Sequence, residues 1–269
     1  MTNADSSFTG SIPDIYDDCL GPLLFEPYAL DLARRATALN PSRVLETAAG
    51  TGIVTAAMAA ALPQAEIVAT DLNQAMLNVA AGKPGCGRVH FEPADAQDLP
   101  CEDGQFDLVA CQYGVMFFPD RARAYGEARR VLKPGGTFLF NAWGSLADNP
   151  IPRIVEEAVA TLFPDDPPGF LGRAPYGYHD ADTIAGDLAA AGFDRIEIEK
   201  VTFPSRAASA RQAAVGFAHG SPLRMEIEAR DDSRLEAAAD VATRALQQAY
   251  GTGAIEAPMG AHVVAAVAP

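Results

Sequence analysis

Apolar positions along the chain follow two patterns, one with helical spacing and one of short uninterrupted runs. Ala29, Leu32 and Ala36 recur at intervals of three and four residues, which is typical of a helix with one buried face. The apolar runs show no polar alternation, as expected for parallel strands that are covered on both faces. The pattern predicts strands over 43–47, 65–70, 88–92, 106–111 and 137–143, helices over 52–62, 74–81 and 120–132, and a turn over 133–136.

Short loops rich in glycine and proline join these strands and helices. Strands that alternate with helices form right-handed crossovers, so we predict an α/β fold with a doubly wound, Rossmann-like sheet and helices on both faces. In such a sheet, ligands bind beyond the carboxyl ends of the strands. Two features of the sequence lie there: the small residues after the first strand and Asp71 at the end of the second.

The second half of the chain has a different composition. Residues 144–180 are rich in proline, glycine and aromatic residues, and they precede a predicted helix that Gly192 ends. We predict one domain over residues 1–269, in which helical segments cover the open end of the sheet; a surface addition for self-association is the alternative. The predicted core is 40–145 and 180–269, the covering segments are 10–30, 145–180 and 204–250, and the late strands are 195–203 and 261–268.

Composition narrows the function classes. The chain has 269 residues, 49% of them hydrophobic, and a net charge of −15, which disfavours nucleic acid as a partner. No apolar stretch reaches the length of a membrane span, and the first residues lack the pattern of a secretory signal. The four cysteines form no C-x-x-C pair, so we expect free thiols, a cytoplasmic protein and no metal.

The small residues after the first strand indicate a bound nucleoside. Side chains are minimal at Ala48, Gly50 and Gly52, which lets backbone N–H groups approach a ligand closely. Thr55 occupies the third slot of a dinucleotide fingerprint and the loop has no Gly-Lys-Ser/Thr ending, so neither a dinucleotide nor a triphosphate fits well. Asp71 suits two ribose hydroxyls. A plain cap on the following helix is the other interpretation of Asp71.

Four blocks in this order and spacing, "VLETAAGTG", "ATDLNQAML", "DAQDLPCEDGQFDLVACQYGVMFFPD" and "VLKPGGTFLFNAWG", resemble class I S-adenosylmethionine-dependent methyltransferases. Within that group they most resemble the small-molecule branch typified by ubiquinone and menaquinone biosynthesis. The blocks cover residues 44–144, and the rest of the chain matches only in layout. The resemblance implies a mostly parallel seven-stranded sheet whose last strand is antiparallel.

The resemblance also implies roles for individual residues. Glu46 and the loop from Ala48 through Gly50 to Gly52 would face the methionine moiety of S-adenosylmethionine, the product being S-adenosylhomocysteine. Asp71 would hold the ribose. The remaining implied cofactor contacts are Leu72 against adenine, Asp95 and Ala96 on the adenine edge, Gln112 near the reacting methyl and Tyr16 as a cover. One departure is Ala48, which stands where the family has its first loop glycine.

The acceptor is expected to be a small, partly apolar or aromatic molecule, because aromatic residues are frequent near the predicted site. The candidate acceptor contacts are Tyr113, Met116, Phe117 and Tyr178. The alternative for the apolar residues that follow the fourth strand is that half of them pack under the next helix and contact no acceptor. His179 and His219 are weak candidates for a general base, since neither has a dyad partner at recognisable spacing.

Three functions are compatible with these residues. The first is methyl transfer by in-line displacement. The second is an NAD(P)-dependent oxidoreductase on a similar sheet, which Thr55 and the lack of a Tyr-x-x-x-Lys pair disfavour. The third is a non-catalytic protein that binds S-adenosylmethionine. The acceptor atom, the use of a base and the presence of a homodimer stay open.

Overall fold

A computed structural model describes residues 12–269; the start of the predicted covering segment, at 10–11, lies outside them. The strands in the described part are β1 Arg43–Glu46, β2 Glu66–Asp71, β3 His90–Pro93, β4 Phe106–Gln112, β5 Leu132–Trp143, β6 Arg195–Ala207 and β7 Ile255–Val267. The helices are α1 Ile12–Ile15, a π-helical segment Tyr16–Phe25, α2 Glu26–Leu39, α3 Ile53–Ala61, α4 Gln74–Ala81, α5 Arg121–Val131, α6 Pro150–Ala160, α7 Phe170–Arg173, α8 Ala181–Ala190, α9 Ala210–His219, α10 Leu223–Asp231 and α11 Leu235–Tyr250.

These strands form one sheet in the order β3-β2-β1-β4-β5-β7-β6. Neighbours from β3 to β5 are parallel, whereas β7 runs antiparallel to β5. The prediction of a mostly parallel seven-stranded sheet is confirmed for the described residues. Because β1 lies between β2 and β4, the chain reverses its direction of winding there, which is where such sheets bind ligands.

The prediction of a turn over 133–136 that separates helix from strand is wrong. β5 begins at Leu132, directly after α5, and the predicted turn is a bulge within the strand. The register moves from Phe106 opposite Leu132 to Leu108 opposite Thr137. Gly135, with φ 79°, provides the left-handed backbone that this bulge needs.

A second difference is α6, in a segment for which no helix was predicted. Pro150 stands in its first turn, where the missing N–H costs nothing, so the prolines of this segment start a helix and do not exclude one. The late strands are also longer than predicted, with β6 reaching Ala207 and β7 beginning at Ile255.

Tertiary contacts divide the described chain into two compact units. The first contains residues 12–27, Gly144–Tyr178 and Thr202–Gly260, and the second contains Tyr28–Trp143, His179–Val201 and Ala261–Pro269. The first unit nearly coincides with the three predicted covering segments; their place over the sheet stays a prediction. Within this unit α11 packs on α9 and α6.

The second unit has apolar layers on both faces of the sheet. On one face, Leu32 of α2 and Met58 of α3 pack with Leu139 of β5. On the other, Tyr125 of α5 contacts the rings of Phe138 and Phe140. Between residues 12 and 269 no helix is long and apolar enough to cross a membrane.

Candidate functional site

The loop after β1 is held in an unusual backbone conformation. Three alternating positions have positive φ, namely Ala48 at 53°, Gly50 at 57° and Gly52 at 79°. Ala48 keeps the left-handed turn without glycine, at a cost of roughly 1–2 kcal/mol. Residues in such conformations persist where neighbouring structure fixes them, and they cluster at ligand sites.

Close packing explains why two loop positions are glycine. A Cβ on Gly52 would lie 2.7 Å from the Cβ of Ala80 in α4, so only glycine lets the loop approach that helix. A Cβ on Gly114, after β4, would overlap the Cβ of Ala48. Gly50 is different, because a Cβ there would meet only Met76, at 4.0 Å. The backbone at Gly50 therefore has open space beside it.

Glu46, the last residue of β1, is fully buried, and neither of its carboxylate oxygens has a hydrogen-bond partner among the described residues. Burial raises the pKa of Glu46 to about 8, and the nearby Asp71 carboxylate contributes to the rise. The Thr55 hydroxyl opposes this shift, although it makes no hydrogen bond of acceptable geometry. Glu46 therefore holds a proton at neutral pH unless a cation lies beside it.

Asp71 ends β2 on the same sheet edge. Its Oδ2 accepts the Gly50 N–H at 2.8 Å and its Oδ1 accepts the Asn73 N–H at 2.8 Å. Burial raises its pKa, and these two N–H donors oppose the rise. Each oxygen keeps acceptor capacity for one more donor. Next to it, the Leu72 side chain is 68% exposed, an apolar surface beside the carboxylate.

Asp71 does not cap the helix that follows. The N-cap of α4 is Asn73, whose side chain accepts the Ala75 N–H at 2.9 Å. The bond from Asp71 to Gly50 instead ties the end of β2 to the loop after β1. The interpretation of Asp71 as a plain cap on the following helix is therefore wrong.

Asp95 and Ala96 lie in a turn after β3. Asp95 Oδ1 accepts the Gln97 N–H at 2.9 Å, and the Gln97 amide also donates to both carboxylate oxygens at 3.2 Å. Gln97 Oε1 in turn accepts the Asp120 N–H at the start of α5. These bonds hold the half-buried Asp95 in place.

Gln112 ends β4 opposite Asn141 of β5. Tyr113 follows with φ 55°, and its ring stacks on Trp143 with centroids 3.7 Å apart. Tyr28 of α2 meets both rings edge-on, at 5.6 Å. Trp143 was not among the predicted site residues. Its signal in the sequence was its position at the carboxyl end of a predicted strand, the end at which such sheets bind ligands.

The other predicted acceptor residues are also largely buried. Met116 is buried and Phe117 half-buried, both in a short 3₁₀ turn after β4. Tyr178 is buried in the first unit, where Tyr16 also lies and stacks on Phe25 at 4.9 Å. The roles of these four residues stay predictions.

The two candidate histidines belong to different units. His179 is exposed, and its backbone carbonyl lies 2.8 Å from His262 Nε2. His219 ends α9 with Nε2 3.5 Å from Glu236, and burial lowers its pKa. Neither is supported as a general base. Across residues 12–269, no group of three or more acidic, cysteine or histidine side chains is arranged to hold a metal ion.

Comparison with known sequences gives consistent relatives. Residues 44–136 match the family described as methyltransferase domain. The ubiquinone/menaquinone biosynthesis C-methyltransferase UbiE of Methylobacterium nodulans is 37% identical over 132 residues, 47% of this chain and 52% of that protein. The demethylmenaquinone methyltransferase of Clavibacter sepedonicus is 32% identical over 173 residues, 60% of this chain and 69% of that protein. The chain thus spans about half the length of the first of these relatives.

Solved structures show the same fold. A phosphoethanolamine N-methyltransferase 2 of Haemonchus contortus, in complex with phosphomonomethylethanolamine and S-adenosylhomocysteine, superposes with a TM-score of 0.60 at 19% identity, over 98% of this chain and 59% of that one. At this identity the likeness concerns the fold alone.

Proposed function

The chain belongs to the class I S-adenosylmethionine-dependent methyltransferases of the ubiquinone/menaquinone-biosynthesis type, and on that premise we propose that it methylates a small, oxygenated aromatic acceptor of the quinol kind. The acceptor class follows the names of its relatives, which refer to ubiquinone, menaquinone and demethylmenaquinone. The NAD(P) alternative is not proposed, because the matched relatives are methyltransferases.

The buried carboxyl of Glu46 is the observation that carries the cofactor assignment. A carboxylate without hydrogen bonds, fully removed from water, has a free-energy cost that a structural role does not explain. An ammonium group beside Glu46 would remove that cost by pairing with the charged form. The amino group of a methionine moiety has the required charge.

The other residues at the sheet edge fit the rest of the cofactor. The open space beside Gly50 lets a ligand approach the loop closely, the remaining acceptor positions of Asp71 suit ribose hydroxyls, and exposed Leu72 suits the face of adenine. Asp95 accepts donors and is held in place by Gln97, as recognition of an exocyclic amine requires. We assign the Ala96 N–H to a ring nitrogen of the same base.

S-adenosylmethionine supplies a methyl group that its sulfonium already activates for displacement. The protein then has to align the acceptor and exclude water. We assign Gln112 and the stacked rings of Tyr113 and Trp143 to that task, since they follow the carboxyl ends of β4 and β5. Met116, Phe117, Tyr178 and Tyr16 are proposed as further contacts, and no residue is assigned as a general base.

The setting of the enzyme is part of the proposal. All four cysteines are free thiols, which suits the reducing cytoplasm. The net charge of −15 argues against nucleic acid as the acceptor. We propose one catalytic domain made from both units; a homodimer would be detected by light scattering.

The decisive experiment uses methyl-deuterated S-adenosylmethionine and a short-chain prenyl naphthohydroquinone kept reduced. We expect mass spectrometry to detect the labelled methyl group on carbon or oxygen of the hydroquinone, and no transfer to the oxidised quinone. Binding of S-adenosylhomocysteine without methylation of any phenol, quinol or carboxylate would favour a non-catalytic binding protein. Absence of binding to either cofactor form would overturn the proposal.

A further inference from the structure

Asn141 of β5 is a fully buried amide, and neither its nitrogen nor its oxygen has a hydrogen-bond partner among residues 12–269. Leaving a buried polar group unpaired costs roughly 1–3 kcal/mol. A residue that served only the fold would not normally be asparagine under these conditions, since an apolar side chain avoids that cost.

A second buried asparagine shows the structural alternative within the same chain. Asn149, only 1% exposed, donates to the carbonyls of Ser145 and Gly260 and accepts the Gly260 N–H. All of its hydrogen-bonding groups are used to fix the backbone. Asn141 fixes none.

Sheet register places Asn141 at the binding edge. Along β5, side chains alternate between faces, so Asn141 shares a face with Leu139, which packs against α2 and α3. Leu139 lies opposite Ala110 of β4, which lies opposite Glu46 of β1. Asn141 is thus on the face that carries the Glu46 side chain. It lies two residues closer to the carboxyl end of β5 than Leu139, directly opposite Gln112.

Strand order separates Asn141 from the groups assigned to the cofactor. Asp71 and Glu46 end the adjacent strands β2 and β1, whereas β4, which ends at Gln112, and β5 are the next two strands on the other side of β1. Two residues after Asn141, on the same face, Trp143 stacks on Tyr113. The unpaired amide of Asn141 thus supplies a donor and an acceptor on the sheet face that also carries Trp143.

We propose that Asn141 is a specificity-determining residue that hydrogen-bonds an oxygen of the methyl acceptor, a carbonyl, phenol or phenolate oxygen on a planar ring. The inference rests on the proposed function, because it takes β4 and β5 as the acceptor side. The amide N–H donates to the ring oxygen, which fixes the in-plane orientation of the acceptor and so selects which atom faces the methyl group.

The test compares Asn141→Leu with Asn149→Leu in the full chain. Trp143 is the only tryptophan, so its fluorescence reports binding of 1,4-naphthoquinone, an oxidised probe that carries acceptor oxygens and cannot be methylated. We expect Asn141→Leu to raise the naphthoquinone Kd about tenfold and change the S-adenosylhomocysteine Kd less than about threefold. We also expect an unchanged or higher Tm for Asn141→Leu, and a Tm lower by several degrees for Asn149→Leu.

Each other outcome has a distinct meaning. Equal naphthoquinone affinity in wild type and Asn141→Leu, or a Tm loss equal to that of Asn149→Leu, overturns the role of Asn141. So does loss of S-adenosylhomocysteine binding with unchanged naphthoquinone binding, which would move Asn141 to the cofactor. A wild-type protein that binds S-adenosylhomocysteine but no naphthoquinone overturns this inference alone, whereas one that binds neither overturns the proposed function as well.

Discussion

Asp107 and Glu46 are carboxyl groups on neighbouring strands of one sheet, the first near the amino ends of the parallel strands and the second at their carboxyl ends. Asp107 accepts the N–H groups of Ser42 at 3.0 Å and Arg43 at 2.9 Å, and its other oxygen is 2.6 Å from Lys133 Nζ. Glu46 has no such partner. Two carboxyl groups on adjacent strands are therefore in opposite electrostatic situations.

Their pKa values move in opposite directions as a result. Burial opposes ionisation of Asp107, but the Lys133 ammonium and the two N–H donors outweigh it and lower the pKa. Burial of Glu46, without compensation of that kind, raises the pKa to about 8. At the amino edge the chain itself pairs the carboxylate of Asp107 with Lys133, whereas no described residue pairs with Glu46.

Backbone conformation differs between the two edges in degree. Ala48 and Tyr113, which follow β1 and β4 at the carboxyl edge, both have left-handed φ values, whereas at the amino edge the left-handed residue before β1 is Asn40, a residue type that tolerates this conformation. Buried polar groups without a hydrogen-bond partner among the described residues also lie at or near that edge, on Glu46, Thr51 and Asn141. Native proteins keep strain and unpaired groups where function requires them. The comparison indicates that one edge serves stability and the other serves a ligand.

Glu46→Gln is the substitution that tests this comparison most severely. Removing the charge that pairs with the ligand ammonium is expected to weaken S-adenosylhomocysteine binding about 100- to 1,000-fold at pH 8. The same variant is expected to be more stable than wild type, because glutamine does not ionise. Calorimetric titration and thermal unfolding measure the two effects, with exposed Glu66→Gln as the control that changes neither.

The sign of the stability effect depends on pH. Between its ordinary value near 4.5 and about 8, folded Glu46 holds a proton that the unfolded chain has released. The stability that this proton gives is complete at low pH and is lost as pH rises through 8. Glu46→Gln should thus match wild type near pH 5 and exceed it by roughly 2–4 kcal/mol above pH 8. A variant less stable at high pH would contradict the assignment.

Asp71→Asn tests whether the carboxyl edge binds a sugar or only supports its own loop. We expect a loss of roughly 1.5–3 kcal/mol in cofactor binding, the range of hydrogen bonds to charged groups. Asparagine is chosen because it retains an acceptor oxygen for one of the two backbone N–H groups that now donate to Asp71, whereas alanine would leave both without a partner.

A second ligand separates the two roles of Asp71. The 2′,3′-dideoxyribose analogue of S-adenosylhomocysteine lacks the hydroxyls, so wild type should bind it more weakly and Asp71→Asn should lose little further affinity with it. The measurement is a double cycle of protein and ligand changes. Equal penalties for the analogue in both proteins would show that Asp71 acts through the loop alone.

Asp107→Asn examines the opposite edge. Loss of the charged partner of Lys133 and of two charge-assisted N–H bonds should lower stability by about 1–2 kcal/mol at pH 7. Because the folded pKa is lowered, the contribution of Asp107 exists above its ordinary value near 3.8 and is lost as pH falls through the folded pKa. Urea unfolding at two pH values measures it. S-adenosylhomocysteine affinity should stay within about twofold of wild type.

The sequence indicates the loop after β1 and the acid at the end of β2 because both signals follow local rules. Small residues after a strand and an acid at the end of the next strand are visible without tertiary contacts, and Asp71 does contact Gly50. The bulge at 133–136 was not predicted, since a Pro-Gly-Gly run looks the same between two elements as within one strand. The stack of Tyr113 on Trp143 joins residues far apart in the chain.

Asn141 shows a further limit. A single polar residue in the run "FLFNAW" does not reveal whether it is paired, because pairing depends on what the neighbouring strands place beside it. Only the register with Gln112 and the unpaired amide distinguish Asn141 from Asn149, which is equally buried. The composition and spacing of the surrounding sequence do not distinguish Asn141 from Asn149.

Ala48→Gly gives the smallest expected effect and isolates backbone strain from charge. Glycine adopts φ 53° without the Cβ penalty, and part of that gain is cancelled by the greater freedom of the unfolded chain. We expect a net stabilisation of about 0.5–1 kcal/mol in urea unfolding, with cofactor affinity within about threefold of wild type. Gly114→Ala is the paired control: its Cβ would overlap Ala48 and lie 2.7 Å from Cys111 Sγ, so glycine at position 48 should relieve the first of these contacts and leave the second. If Ala48→Gly destabilises the protein, the left-handed turn is not strained, and the difference between the two edges reduces to their charges.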